Sequence, residues 1–378
     1  MHLTIDKTTL VTALSKVQSV VERRNTLPIL SNVLLTARKG ELELTATDLE
    51  VGLRGLYAAK VSEPGRIALN ARKIFDVVRE MPDGPLGLEL KDNHWVEVTA
   101  GKARFSLVGL DPEKFPPLPI PEDLKVFKIS AAILGDLIDK TAFCASTDEA
   151  RVNLNGVLLE RAEQNGEPCL RMVATDGHRL ALRDHLITPD RTVNFEGRVL
   201  IPRKGVSELK KLVDEAQGEL EIGFSENSCV VTHDRQTLVI RLIDKEFPDY
   251  NQVIPDEGVR EIEVGVEALR DALRRVSVLA TDKTKAVKFV FAGDTLTLSS
   301  TNTDMEEGTE EIAINYGGAS LAVGFNAKYL LEFLGTVGDE HLTLELNDEL
   351  SPGLARPLAD PRFLYVIMPM RIAAGAGA

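Results

Sequence analysis

The run "VATDGHRLAL" (residues 173–182) combines side chains suited to acid–base chemistry with a pattern that otherwise predicts a β-strand. It places a hydroxyl, a carboxylate and an imidazole, from Thr175, Asp176 and His178, within four residues. A hydrolase could use such groups as nucleophile and general base. The alternative is a tight turn, favoured by the Asp176–Gly177 pair, whose polar residues hold a binding surface. The choice depends on the elements that carry this run.

The composition is that of an ordinary globular protein. Its 378 residues suggest two or three domains, with 44% hydrophobic and 27% charged residues. No apolar run approaches the roughly 18 residues of a membrane span, and the N-terminus lacks the features of a signal peptide. Cys144, Cys169 and Cys229 show no CxxC spacing, which argues against a disulfide framework or a zinc site. We therefore expect a cytoplasmic protein without a membrane segment, a metal or another cofactor.

Four sequence blocks recur in the same order, at spacings of 124 to 135 residues. The first, beginning at Leu3, Phe127 and Ile262, predicts a strand followed by an amphipathic helix. The other three are "LELTATD", "LRMVATD" and "LTLSSTN" (42–48, 170–176 and 296–302), a strand-to-helix block with Lys73, Lys204 and Lys328 in register, and Phe-Pro at 115–116 and 247–248. This order indicates a threefold duplication.

The duplication predicts three like domains, at residues 1–125, 126–257 and 258–372, and a disordered tail at 373–378. Each domain is expected to contain two strand–helix–strands units, which makes six helices in the chain. Alternating apolar and polar residues in the strands favour antiparallel sheets and the α+β class. Copies one and three carry Leu49 and Thr303 where copy two has Gly-His, and no nucleophile elbow is present, which argues against the hydrolase.

The charge is unevenly distributed along the chain. A net charge of −14 argues by itself against a tight nucleic-acid binder. However, the six predicted helical stretches (7–24, 71–80, 131–147, 203–213, 266–285 and 326–337) carry +8, which leaves −22 for the rest. Such a layer suits an inner surface that faces phosphate.

The size of the domains indicates how many of them could surround DNA. Six domains of about 126 residues in a closed ring would leave a hole of roughly 36 Å, which is enough for a duplex about 20 Å across. Because one chain supplies three domains, two chains would close the ring.

The chain resembles the bacterial sliding clamp family, the beta subunits of DNA polymerase III. The resemblance covers residues 1–372, and its most specific motifs are "TLPILSNVLL" (26–35), "TATDLE" (45–50), "ATDGHRLA" (174–181), "IPRKG" (201–205), "FPDY" (247–250) and "YVIMPMRI" (365–372). It implies a homodimeric ring of six like domains, the DNA clamp fold. It also implies a processivity factor without catalytic activity, which encircles double-stranded DNA without sequence preference.

The resemblance further implies a pocket in which partner proteins dock a short peptide: the DNA polymerase III alpha subunit, the clamp loader and other proteins with a clamp-binding motif. The pocket residues carried over are Leu154, Thr175, Gly177, His178, Arg179, Leu180, Pro248, Gln252, Val253, Val366, Met368, Pro369, Met370 and Arg371. Among these, Gln252 stands where many members have an arginine.

Two further sets of residues follow from family motifs or helix position. The residues expected to face DNA are Arg24, Arg72, Arg203, Lys204, Lys210 and Arg274. The residues expected at the dimer seam are Lys73, Phe105, Leu107, Val278 and Leu279. Two alternatives remain: a protein-binding scaffold that does not encircle DNA, and a hydrolase that uses Asp176 and His178.

Overall fold

The computed structural model describes residues 1–21, 27–121, 124–188, 193, 195, 197–255, 260–280, 285–302 and 304–371. The chain forms two compact units. The first unit contains Met1–Gly135 and Lys204–Asp244, with a short stretch at Phe195; the second contains Asp136–Pro189, a stretch that ends at Arg203, and the chain from Lys245 onward. Each unit contains parts of more than one repeat, and the three domains at residues 1–125, 126–257 and 258–372 stay a prediction.

The helices begin at short polar caps or directly after strands. They are α1 (Lys7–Val17), α2 (Ala71–Glu80), α3 (Ala131–Asp139), α4 (Arg203–Glu215), α5 (Val266–Val276) and α6 (Ala327–Leu334). Asp6, Asn70 and Asn326 cap α1, α2 and α6 by accepting bonds from backbone N–H groups of the first turn. The apolar positions matched between repeats, such as Leu10 in α1 and Leu269 in α5, are buried.

The strands of each repeat follow the same order along the chain, except that the first repeat has one additional strand, β5. The first repeat has β1 (His2–Asp6), β2 (Asn32–Arg38), β3 (Glu41–Thr47), β4 (Val51–Ala58), β5 (Lys60–Glu63), β6 (Gly65–Asn70), β7 (Pro85–Leu90), β8 (Trp95–Ala100) and β9 (Ala103–Val108). The second has β10 (Val126–Ser130), β11 (Gly156–Gln164), β12 (Glu167–Thr175), β13 (Arg179–Leu186), β14 (Arg198–Pro202), β15 (Glu219–Phe224), β16 (Ser228–His233) and β17 (Gln236–Arg241). The third has β18 (Arg260–Gly265), β19 (Ala286–Ala292), β20 (Thr295–Thr301), β21 (Glu307–Asn315), β22 (Leu321–Asn326), β23 (His341–Leu346), β24 (Gly353–Pro357) and β25 (Phe363–Ile367).

Three sheets contain these strands. The first unit has a five-stranded sheet in the order β5-β1-β7-β8-β9 and an eight-stranded sheet in the order β10-β15-β16-β17-β4-β3-β2-β6. The second unit has a twelve-stranded sheet in the order β14-β11-β12-β13-β25-β24-β23-β18-β21-β20-β19-β22. The pairs between described strands are antiparallel, and the α+β prediction is confirmed.

Two strand pairs join consecutive repeats with the same register. In the first unit β4 pairs with β17, so that Gly52 lies opposite Val239. In the second unit β13 pairs with β25, so that Leu180 lies opposite Val366. We call these two pairs the seams. In both of them, the strand that follows the threonine–aspartate turn adds the last sheet strand of the next repeat.

Four of the six predicted helical stretches were too long, which weakens the inference from helix charge. The helices α1, α3 and α5 end at Val17, Asp139 and Val276, several residues before the predicted ends. Within the six helices, Lys and Arg exceed Asp and Glu by only three, instead of the predicted eight. The amphipathic pattern continues past the helix ends because the following turns also bury apolar residues, such as Val20 and Ala280. Arg24 lies outside the described residues.

Candidate functional site

Thr175 and Asp176 form a tight turn between β12 and β13, within the run at residues 173–182. The Thr175 hydroxyl donates to the carbonyl of Arg179 (2.6 Å) and accepts from the Gly177 amide (3.0 Å). The Asp176 carboxylate accepts from the amides of His178 (2.9 Å) and Arg179 (3.2 Å). Gly177 has φ +87°, a conformation that favours glycine, and a Cβ there would lie 2.5 Å from Arg151 Nη2, so that the arginine side chain would have to shift.

The same turn occurs in the first repeat with the same hydrogen bonds. Thr47 donates to the carbonyl of Val51 (2.9 Å) and accepts from the Leu49 amide (3.0 Å). Asp48 accepts from the amides of Glu50 (2.9 Å) and Val51 (2.7 Å), and Leu49 has φ +79°. In the third repeat Asn302 accepts from Asp304 and Glu306 instead. The repeated block therefore encodes a turn.

This geometry does not support hydrolysis. The Thr175 hydroxyl already donates to a carbonyl, and the Asp176 carboxylate bonds to the backbone of His178. Its second oxygen accepts from Arg179 Nε at 3.1 Å. A triad would instead need the aspartate on the imidazole and the imidazole on the hydroxyl. The nearby Cys144 is no substitute nucleophile, because burial raises the pKa of its thiol and keeps it protonated.

Arg179 connects the turn to two other parts of the second unit. Its side chain is only 7% exposed; it donates to the Glu332 carboxylate of α6 and to the carbonyl of Phe143 (2.7 Å). The guanidinium carbon lies 4.3 Å from the ring centroid of Tyr329 and 5.5 Å from that of Phe143. These cation–π contacts and ion pairs hold the turn against α6 and the segment after α3.

A cleft of about 450 Å³ opens beside Arg179. Its lining includes Phe143, Asp148, Arg151, His178, Arg203, Lys328 and Tyr329. Arg203, which was predicted to face DNA, lines this cleft together with the peptide-pocket residues His178 and Arg179, and its contact with DNA stays a prediction. Phe143, Arg151, Tyr329 and Glu332 were not predicted. For two of these residues, Tyr329 and Glu332, the sequence contained an indirect indication. They belong to α6, which the repeat aligns with α4 through Lys328 and Lys204.

The apolar residues predicted for the peptide pocket divide into a floor and a rim. Leu180 and Val366 are opposite each other at the seam and are each about 1% exposed, so the floor is covered in this structure. Met368, Pro369 and Met370 are half-buried. The Met368 amide donates to the His178 carbonyl (2.9 Å), and the Met370 amide to the Gly324 carbonyl (2.8 Å). The chain end is thereby held beside the turn.

The other predicted pocket residues have different surroundings. Leu154 is buried, Val253 is half-buried, and Pro248, Gln252 and Arg371 are exposed. Between Pro248 and Val253, the Tyr250 hydroxyl donates to Glu160 and accepts from Arg171 (3.2 Å). Burial raises the pKa of Tyr250 to about 12, so the hydroxyl keeps its proton and both bonds at neutral pH.

The residues predicted to face DNA differ in their exposure and in their ion pairs. Arg72 and Arg274 are exposed, and their nearest carboxylates, Asp76 and Asp271, lie 3.9 Å away on the same helix. Lys210 pairs with Asp214 within α4. Lys204 is half-buried, and its ammonium bonds to the carboxylate of Asp48, whose side chain is 1% exposed. In this structure the turn of the first repeat binds the Lys204 ammonium, and a contact of Lys204 with DNA stays a prediction.

The predicted dimer residues lie at the surface of the chain. Phe105 is 46% and Val278 78% exposed, Lys73 is exposed, and Leu107 and Leu279 are half-buried. Phe105 and Leu107 belong to β9, which ends its sheet with β8 as its one neighbour there.

The described part of the chain contains no group of three or more His, Cys, Asp or Glu residues placed to hold a metal ion. Within the same residues, no helix is long and apolar enough to span a membrane.

Comparison with known proteins gives one consistent result. The family descriptions "DNA polymerase III beta subunit, N-terminal domain", "central domain" and "C-terminal domain" match residues 1–119, 128–249 and 251–371. The chain is 37% identical to the beta sliding clamp of Pseudomonas aeruginosa over 375 residues, which cover 98% of this chain and 100% of the relative. It is 33% identical to that of Escherichia coli, with the same coverage. This chain belongs to the DNA polymerase III beta subunit family.

Solved structures of clamps agree with this assignment. The Caulobacter crescentus beta sliding clamp superposes with a TM-score of 0.94 at 34% identity, covering 98% of this chain and 99% of that one. The Pseudomonas aeruginosa subunit gives 0.91 at 37% identity, with 98% and 100% coverage. The chain therefore has the DNA clamp fold and serves DNA polymerase III as a processivity clamp. It is not an enzyme, and the run at residues 173–182 forms a structural turn of a clamp.

Proposed function

We propose that two copies of this chain close into a ring around double-stranded DNA and tether DNA polymerase III and other partners through the second unit. The observation that carries the proposal is the repeated seam. Repeats one and two, and repeats two and three, are joined by equivalent strand pairs, β4–β17 and β13–β25. β21 is the equivalent of β4 and β13 in the third repeat, and β9 is the equivalent of β17 and β25 in the first. These two strands would form a third seam, between two chains.

Both strands have an edge suited to this pairing. β21 pairs with β20 along its length, but with β18 only at Ile314 and Asn315. β9 pairs with β8 on one side. Within the described residues, the opposite edges of residues 307–313 and of β9 have no strand partner. An edge of unpaired backbone groups is a template for strand addition from another chain.

Transferring the seam register gives a specific intermolecular alignment. Leu53 lies opposite Leu238, and Ala181 lies opposite Tyr365. The equivalent residues are Gly308 of β21 and Phe105 of β9, so Phe105 of one copy would lie across Gly308 of the other. A Cβ on Gly308 would lie 3.4 Å from Leu279 Cδ1. Because cross-strand partners share a face, this register brings Phe105 to Leu279, as the family resemblance also implies.

The charges of the two edges are complementary. β21 carries Glu307, Glu310 and Glu311, while the β9 hairpin carries Lys102 and Arg104.

The lysine in the first turn of the second helix of a repeat lies near the threonine–aspartate turn of the preceding repeat. Lys204 bonds to the turn residue Asp48, and the equivalent Lys328 lines the cleft together with Asp176. By the same rule, Lys73 of one copy would approach the Asn302 turn of the other. Opposite charges across an interface fix register and suppress wrong pairings.

Partner proteins would dock an extended peptide on the floor of Leu180 and Val366, between the turn and the chain end. We assign this site to the DNA polymerase III alpha subunit, the clamp loader and other proteins with a clamp-binding motif, in the cytoplasm. Met368 and Met370 form its rim, and methionine side chains adapt to different ligands because they are flexible and polarisable. Arg151, His178, Arg203 and Lys328 in the adjacent cleft would contact polar parts of the peptide.

The contact with DNA would consist of a few weak interactions between arginine and phosphate. Replacing both Arg72 and Arg274 by glutamine is expected to reduce the salt dependence of duplex binding, by about 0.9 in the log–log slope for each phosphate that an arginine no longer neutralises. The dimer should stay intact. Fluorescence anisotropy with two duplexes of different sequence, over a salt series, measures this. The matched control replaces Arg38 and Arg66, two exposed arginines on strands, and should keep the slope. An unchanged slope, or a strong sequence preference, would contradict the proposal.

A further inference from the structure

Each of the two seams carries an equivalent set of residues on its surface, which we call its floor. In the second unit, which we call the second groove, the floor is Thr175, Leu180 and Val366, joined by register pairs across β12, β13 and β25. In the first unit, which we call the first groove, the equivalent residues Thr47, Gly52 and Val239 are joined in the same way across β3, β4 and β17. Direct cross-strand partners point to one face, so both units present the same surface beside the same turn.

The two floors differ at one position, where Gly52 replaces Leu180. The backbone does not require this glycine, because Gly52 is absent from the residues with positive φ. Instead, a Cβ at residue 52 would overlap Leu118 Cδ2, and Leu118 Cδ1 and Cγ would follow at 3.5 Å. The Leu118 side chain therefore packs directly on the bare backbone of Gly52. Any side chain at residue 52 would push it out.

Leu118 comes from the segment that follows Phe-Pro in the first repeat, and Tyr250 holds the equivalent place in the second. Both segments start from a buried anchor, Phe115 or Phe247. The Tyr250 hydroxyl bonds to Glu160 and Arg171. Arg171 precedes Thr175 by four residues on β12, which is about 13 Å along a strand. The second segment thus has its tyrosine bonded near Arg171, whereas the first, "FPPLPIP", places Leu118 on the floor of its own groove.

We propose that the first groove is a second copy of the partner-peptide groove, kept closed by Leu118 as an intramolecular occupant. This inference rests on the proposed function of the second groove. An aliphatic side chain of the chain itself takes the place that a bulky apolar residue of an extended partner peptide takes in the second unit. The prolines around Leu118 fix φ and limit the freedom of the segment, which favours the closed state. One chain therefore offers one peptide site, at the second groove, whose floor is covered by a rim that includes Met368 and Met370 and not by an equivalent of Leu118.

The test counts peptides bound per chain by isothermal titration calorimetry, with a blocked pentapeptide that carries two leucines and a phenylalanine. The full-length chain should bind one. Leu118→Ala should bind two, with the added site about tenfold weaker because its floor lacks the Leu180 side chain. Gly52→Leu, which evicts Leu118 and rebuilds that floor, should also bind two. Leu118→Met, which refills the space, should remain at one.

The outcomes separate the two claims. One peptide per chain in both Leu118→Ala and Gly52→Leu, with thermal melting showing that at least one variant is folded, overturns the closed-groove inference alone. No peptide on the wild-type chain, with one on Leu118→Ala, overturns the assignment of the second groove but keeps the first. A double variant that combines Leu118→Ala with removal of residues 368–378 should bind one peptide, and zero there would also count against the first groove.

Discussion

Removal of residues 368–378 is expected to abolish binding of partner peptides and stimulation of the polymerase. The deletion takes away Met368, Pro369 and Met370, which form the half-buried rim over Leu180 and Val366. It also removes the two backbone bonds, to His178 and Gly324, that hold the chain end beside the turn. A micromolar peptide complex has about −8 kcal/mol of binding free energy, and loss of the apolar rim together with its ordered backbone removes most of this.

Fluorescence polarisation with a labelled clamp-binding peptide measures the effect. Deletion of residues 373–378 alone serves as the control and should leave the affinity unchanged. Met368→Ala should weaken binding by about tenfold, because it truncates one apolar side chain of the rim. Full affinity in the 368–378 deletion would show that the peptide binds elsewhere. The turn at Thr175 would then have no role in partner binding.

Replacement of Leu279 by aspartate is expected to convert the dimer into monomers. In the proposed third seam, Phe105 of the second copy lies against Leu279, so that the substitution buries a charge without a partner. We expect a loss of about 3 kcal/mol at each seam. A two-fold ring has two such seams, and the effect occurs at both.

Sedimentation velocity across a concentration series measures the dimer dissociation constant. The matched control is Leu350→Asp, since Leu350 is a strongly exposed leucine outside the proposed seam, and it should remain dimeric. Gly308→Val provides a second test of the register, because its side chain would take the space beside Leu279 that the proposed register gives to Phe105 of the other copy. An undiminished dimer in the Leu279 variant would mean that the seam lies elsewhere.

The repeats and the class of fold could be predicted from the sequence because they depend on local patterns. Leu10, Leu134 and Leu269 recur at one position of an amphipathic helix, and the threonine–aspartate turn satisfies its own hydrogen bonds within five residues. Helix ends were harder to predict. The apolar pattern after Val17 continues into a turn, which buries Val20 as a helix would.

The site itself depended on contacts between distant residues. Arg179 meets Phe143 and Glu332, which lie 36 and 153 residues away along the chain. Lys204 could not be recognised as an internal partner of Asp48 because 156 residues separate them. The equivalence of Gly52 and Leu180 was visible in the repeat, but its meaning required the position of Leu118. Local patterns were enough to predict the turn, and the packing of three repeats decided what surrounds it.

Retention on DNA with and without free ends shows whether the chain encircles the duplex. The clamp is loaded onto a nicked circular duplex, and half of the sample is then cut once to make it linear. Gel filtration in high salt, which screens phosphate contacts, separates bound from free protein. A closed ring stays with the circle and leaves the linear duplex by sliding off its ends. Equal retention on both forms, or equal loss from both, would contradict topological linkage and show that this protein does not form a closed ring around DNA.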